Sequence, residues 1–597
     1  MNNPSPAIVA QSAVRRLPRL ALWLFCIAYV LPGFIGRSPW KNEDITAFGI
    51  MQELTLPGSS WLQPQMLGVL NSFDALAPYW LGAVAISAMP FLDPALAVRL
   101  PFVVLLAITL MTTWYGTYYL ARSPQAQPVA FAFGGEAEPV DYARAIADAS
   151  LLALIACLGL AQLSHETTPA LAQLGFASLC FYALAAITSR EGLALAGPAL
   201  ALSLGLTGLA LSGAPTLALL LGAGGLLVEL GHRRWGRSDS SEGHAEGNGS
   251  AWSQALLVAG VTVVVCLMSS ALNLWRWRFS LAASGDGPAA SELARLARLL
   301  VWFTWPAWPL ALWTLLRWRR QLASRHVALP LWFSIVAITS AITAPSASDR
   351  SLLLALPPLA ALAAFALPTL RRSVASLIDW FTLLFFTGSA LVIWVIWIAM
   401  QTGFPRQPAA NVARLAPGFE ASFSWLAFVT ALGATLAWAW LVKWRAGAQR
   451  AAIWKSLVLP AGGATLSWML LMTLWLPLLD YARSYGPTSR QVARLVDRTR
   501  CVEIYGIGSA QAAGLRYHGR LALKQAGERA SCPFLVVDSE AQGTLSRQVN
   551  LPDWALQATV TRPTDKNENV LVYRRVTVDA SAPRAKKDSA PAPLRAP

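Results

Sequence analysis

Apolar runs of about twenty residues recur along this chain as far as residue 479. As helices, runs of that length cross a hydrocarbon core of about 30 Å. No water is available there to satisfy backbone N–H and C=O groups, so each run is committed to helix. The runs at 18–36, 146–163, 253–273, 351–370 and 378–400 set the pattern. A soluble core would not need such a series, and the composition agrees. Hydrophobic residues make up 55% of the chain and charged residues 13%, against about 25% charged in an ordinary soluble protein, and the mean hydropathy is +0.47. The net charge of +16 does not point to nucleic acid, because the basic residues flank apolar runs and do not gather on one face.

The reading is a multi-pass, all-α protein of a bacterial inner membrane with about thirteen crossings. They are 18–36, 98–121, 146–163, 168–188, 193–212, 214–231, 253–273, 296–316, 327–345, 351–370, 378–400, 423–442 and 456–479. Arg15, Arg16 and Arg19 precede the first run, and no small-residue cleavage site follows it. That predicts an uncleaved signal-anchor with a cytoplasmic N-terminus. With this count the cytoplasmic ends and loops collect nineteen Lys and Arg, against ten in the outer loops before the tail, as the positive-inside rule requires. An odd number of crossings leaves the C-terminal end in the periplasm. The apolar stretch 76–92 is short and contains Pro78 and Pro90, so it is expected to lie along the outer face. Residues 232–252, polar and rich in Gly and Ser, read as a cytoplasmic linker within a transmembrane domain of 1–484.

From residue 485 the pattern changes. CVEIYGIG, CPFLVVD and NVLVYRRVTV are strand-like, with room for a helix between the first two, which predicts a small α/β periplasmic domain over 485–578. Residues 579–597 are Pro/Ala-rich and expected to be disordered. Gly506–Ser509 lacks the third glycine of a dinucleotide fingerprint and reads as a strand-to-helix turn. Cys501 and Cys532 each open a strand-like run on the oxidising side, so a disulfide is expected between them. Cys26, Cys157, Cys180 and Cys266 fall inside apolar runs as small core residues.

The first outer loop, 37–97, holds an adjacent acidic pair, Glu43 and Asp44. A carboxyl partly desolvated just beyond the membrane has its pKa raised toward working pH and can act as a general base. The same pair can also simply favour the N-terminus of the helix that follows.

Three motifs, in order, resemble the GT-C glycosyltransferases that use polyprenyl-phosphate sugars, most nearly the lipid A aminoarabinose transferases and more distantly the protein O-mannosyltransferases. Trp40-Lys41-Asn42-Glu43-Asp44 matches that family's W-x-x-D-E with the acids swapped. Ser59 to Gly68, with Trp61 and Pro64, matches G-x-W-x-x-P-x-x-x-G apart from the first glycine, which stands one place earlier at Gly58. Arg99-Leu100-Pro101 matches R-L-P. The resemblance implies Glu43 as the catalytic acid, with Asp44 sharing or taking the role, and a second acid at Glu166 in SHETTP. It also implies a phosphate-binding arginine at Arg350, ahead of the Leu/Pro-rich run 351–358. An interfacial arginine can equally sit there with its head in water. Two family features are missing. Phe73-Asp74 stands where Glu-Lys is expected, and no outer-loop histidine precedes the eighth crossing. Asp74 is thus a substrate-site candidate, Arg276 and Arg278 are candidates for the missing positive charge, and no metal or cofactor is expected.

The implied activity is transfer of a sugar from a polyprenyl-phosphate donor to a lipid, glycan or protein acceptor of the envelope on the periplasmic side. Two alternatives stay open. One is a transporter or flippase of lipid-linked glycans, although few charges fall mid-span and no inverted repeat is visible. The other is a non-catalytic member of the family.

Overall fold

Each of the thirteen runs carries helix in the computed structural model, which describes residues 5–70, 75–189, 192–236, 247–275, 297–343, 349–447, 452–527 and 531–576. Among the described residues, eight helices are long and apolar enough to cross a bilayer. A ninth is reached if the bent pair Ala297–Phe303 and Ala307–Arg317 counts as one span. The other runs fall short by this measure. Arg19–Val30, Ala196–Leu211 and Pro215–Gly231 are shorter apolar helices, and Pro139–Ala156 carries Asp141, Arg144 and Asp148. The protein is a multi-pass membrane protein, mostly helical, with a small C-terminal sheet. The chain divides into two compact units, Met1–Ser484 and Tyr485–Pro597.

Two runs expected to be continuous are broken. The run 296–316 bends by 93° between its two helices, where Pro306 precedes Ala307 and offers no N–H. The run 146–163 stops at Ala156 and resumes as the short helix Leu160–Leu163. The breaks satisfy each other, because Leu158 N donates to Trp305 O at 3.1 Å and Gly159 N to Phe303 O at 2.9 Å. Backbone freed inside a membrane protein needs such partners. A Cβ on Gly159 would sit 2.4 Å from the Phe303 ring, so glycine permits this approach.

The centre of the first unit is the helix Leu356–Ala366, LPPLAALAAFA, buried along its whole length. It packs against Pro139–Ala156, Ala307–Arg317 and Arg325–Thr343. Small alanines let helix backbones come close where lipid offers no hydrophobic driving force for association. Arg350 stands ahead of this helix, at the start of the single turn Ser351–Ala355. Trp425–Gly447 is the opposite case, with Trp425, Leu426, Val429 and Leu436 all exposed, as a lipid-facing helix requires. The stretch 76–92 forms the helix Ala77–Ala88, which packs on Glu43–Glu53 and Pro94–Ala121. At twelve residues it is about 18 Å long, and like Arg19–Val30 it is one of the shorter apolar helices.

Among its described residues the second unit has five strands where the sequence suggested three. Their order is Ala522–Gln525, Cys501–Tyr505, Phe534–Asp538, Asp565–Arg575, Trp554–Arg562. The first three are parallel, and the last two add as an antiparallel hairpin. The two additional strands are the edges, and their largely exposed residues leave little apolar alternation to read. The helix Ser509–Gly519 follows the Gly506–Gly508 turn, with Gly506 at φ +68°. A disulfide joins Cys501 to Cys532, with their Cα atoms 5.3 Å apart.

Candidate active site

The helix Glu43–Glu53 begins with both acids in its first turn, where the helix dipole favours negative charge. Successive residues of an α-helix point about 100° apart, so the two carboxylates face different surroundings. Asp44 is 1% exposed and accepts four hydrogen bonds. Arg37 Nη2 and Trp40 N reach Oδ2 at 2.9 and 3.1 Å, and Thr167 N and Oγ1 reach Oδ1, both at 2.8 Å. Arg37, itself 3% exposed, also donates to His165 O at 2.7 Å. The Asp44–Arg37 pair thus ties the first loop to the turn at 164–168. With both oxygens occupied and no solvent access, Asp44 has no lone pair to offer a substrate.

Glu43 faces outward, with its side chain 31% exposed and Oε2 3.0 Å from Arg350 Nε. Arg350 also binds Glu166 Oε2, from Nη2 at 2.6 Å and Nε at 3.2 Å. The Glu166 side chain is 1% exposed, and its other oxygen accepts from Gln162 Nε2 at 3.2 Å. Burial, foremost, raises the Glu43 carboxyl above its ordinary pKa. The positive charge of Arg350 opposes the rise, and the nearby Glu166 adds to it. Glu43 is therefore the solvent-accessible acid of the cluster, with a raised proton affinity and a guanidinium against it.

Several residues to which the sequence reading gave no role at the site complete the cluster. Trp40 is 2% exposed and donates from Nε1 to Asp480 Oδ1 at 2.6 Å, while Ser38 N and Oγ reach the same carboxylate. Arg37 and Arg483 lie over the Trp40 ring, 4.6 and 5.3 Å from its centroid. The aromatic residue of the first motif therefore organises two guanidinium groups. His165 packs among Tyr29, Phe34 and Trp468. Burial pushes its pKa down to about 3, so the ring is neutral there. Gly33 makes room for it, since a Cβ would lie 2.3 Å from the imidazole. Arg99, also buried, donates to Phe34 O at 3.2 Å. The second motif folds as a hairpin, Gln65–Met66 with Val69–Leu70, through left-handed Leu67 and Gly68. That conformation at both central residues suits a tight hairpin turn.

The structure thus brings Glu43, Asp44, Glu166 and Arg350 into one cluster. Asp74, Arg276 and Arg278 lie outside the described residues, as do residues 237–246 of the linker 232–252 and the whole of the tail 579–597. Among the described residues no group of three or more His, Cys, Asp or Glu is arranged to hold a metal ion.

No family model matches the chain, and no curated protein matches it significantly. Among solved structures it is similar to ArnT from Cupriavidus metallidurans bound to undecaprenyl phosphate, with a TM-score of 0.60 and 13% identity. That match covers 95% of this chain and 100% of that one. The same protein in its apo state gives a TM-score of 0.56 and 14% identity, over 93% and 96% of the two chains. An oligosaccharyltransferase from Archaeoglobus fulgidus is matched at a TM-score of 0.41 and 11% identity, too distant to carry an argument. The chain is a GT-C-fold membrane protein, as its motifs implied. At these identities the likeness establishes the fold and leaves the activity to the site.

Proposed function

We propose that this protein is a glycosyltransferase that moves a sugar from a polyprenyl-phosphate carrier to an envelope acceptor, lipid A or another glycan or a protein, on the periplasmic face of a bacterial inner membrane. The observation that carries this reading is the partly exposed Glu43 carboxylate against Arg350. An acceptor hydroxyl is a weak nucleophile, so its oxygen bonds to the anomeric carbon as Glu43 takes its proton. The bond from that carbon to the phosphate oxygen breaks, and polyprenyl phosphate leaves with the electron pair. Arg350 stands where a guanidinium can meet the developing phosphate charge. The ArnT fold supports the reading, since that protein has been crystallised with undecaprenyl phosphate.

Membranes containing the protein, given a polyprenyl-phosphate sugar labelled in the sugar, are expected to move label onto an envelope acceptor and to release one polyprenyl phosphate per sugar transferred. Label that crosses the bilayer still attached to its carrier would identify a flippase instead. The orientation is tested separately. Reporter fusions after Gly231 and Arg372 are expected to read as cytoplasmic and those after Ser346 and Gly486 as periplasmic, in line with the arginine bias. A cytoplasmic signal at Gly486 would overturn the thirteen-crossing count.

A further inference from the structure

Arg350 faces Glu43 and Glu166, so two carboxylates already offset its charge before any anion arrives. Arg37 is likewise spent on Asp44. Arg483 differs from both. It closes the helix Leu476–Arg483 after the last crossing, it reaches solvent while part of it is buried, and its guanidinium donates from Nη1 to the neutral Gln162 Oε1 at 2.6 Å. Among the described residues it forms no ion pair. Glu166 attracts it only from beyond Gln162, since the oxygens of Glu166 go to Arg350 and to Gln162 itself. Asp480, on the same helix, is taken by Ser38 and Trp40. Partial burial and the nearby charge of Arg37 push the pKa of Arg483 down, as expected for a cation with too little negative charge around it.

We propose that Arg483, set over the Trp40 ring and oriented by Gln162, is a second substrate-binding cation that takes the donor's phosphate together with Arg350. This rests on the glycosyl-transfer reading and adds to it a residue that lies in none of the three motifs. The chain of contacts Arg483–Gln162–Glu166–Arg350 puts the two guanidinium groups on either side of one Glu–Gln pair. A phosphate with several acceptor oxygens can be held from both sides in such a frame. Trp40 then has a double role, anchoring the loop through Asp480 and presenting a ring face to Arg483.

The test measures binding of undecaprenyl phosphate to the purified full-length protein in lipid nanodiscs, with undecaprenol, which lacks the phosphate, as control and thermal unfolding followed in parallel. The wild type is expected to prefer the phosphate lipid. Arg483→Ala should weaken binding of the phosphate lipid roughly tenfold or more, the order of one lost charge-assisted hydrogen bond, while leaving undecaprenol binding unchanged. Arg483→Lys should recover part of the loss. Gln162→Glu keeps Arg483 but sets a carboxylate against it, so it should weaken phosphate-lipid binding as well, and it keeps the test decisive if Arg483→Ala folds poorly. If the wild type and both variants prefer the phosphate lipid equally, while Arg350→Ala loses the preference, the assignment of Arg483 falls and the transferase reading stands. If the wild type shows no preference for the phosphate lipid over undecaprenol, both fall.

Discussion

Glu43 and Asp44 are adjacent in the chain yet belong to networks of opposite character. On the Asp44 side, Arg37, Thr167 and Trp40 N occupy both carboxylate oxygens, and neither charged side chain of the pair meets solvent. On the Glu43 side, Arg350 is shared between two carboxylates, and the side chains of Glu43 and Arg350 are 31% and 22% exposed. Both oxygens of Asp44 are taken inside the protein, so that side is closed to a ligand, and its contribution is to hold the first loop against the turn at 164–168. The Glu43 network remains open to a ligand. The comparison shows that an acidic pair in a motif can enter two different networks, because about 100° of helix rotation separates a carboxylate open to a ligand from one that is closed off.

Three experiments can break or sharpen this contrast. The largest effect is expected at Glu43. A positioned general base contributes about 10²–10⁴-fold, so Glu43→Gln should lower transfer by that order while insertion and melting temperature stay at wild-type values. Full activity in that variant would move the base elsewhere in the cluster. Next comes Asp44→Asn, which turns an amide NH2 toward groups that are themselves donors and leaves Arg37 without its partner. Breaking a buried pair in this way costs roughly 3–5 kcal/mol. The expected result is low yield and a lowered melting temperature, with activity per folded molecule largely kept. A stable but inactive Asp44→Asn protein would reverse the two roles.

The smallest effect is in pH dependence. A base must be deprotonated to act, and Glu43 has its pKa raised, so the acid limb of the rate profile should lie above the ordinary Glu range of about 4.3. Arg350 pulls that pKa down, so Arg350→Ala should move the limb to higher pH as well as weaken donor binding. A limb that stays put in Arg350→Ala would mean that some other group titrates.

Much of this could be read from local pattern. Runs of apolar residues announced the helices, the arginine bias suggested an orientation, and Trp40 with Glu43 and Asp44 marked the loop that carries the cluster. Other features could not be read in this way. The breaks at 157–159 and 304–306 depend on each other's backbone groups across more than a hundred residues. Arg37 meets His165 O 128 positions away, and Arg483 meets Gln162 321 positions away. Neither arginine belongs to a periodic pattern or a motif that would have selected it.

The sequence alone determined that the chain lives in a membrane and ends in a small sheet, because hydrophobic length and side-chain periodicity are local properties that the solvent reads directly. Only the tertiary structure decided which acid is open, which arginine is already neutralised and which is left over. Those distinctions depend on hydrogen bonds between distant segments, and a carboxylate becomes support or chemistry only once its lone pairs are taken or left free.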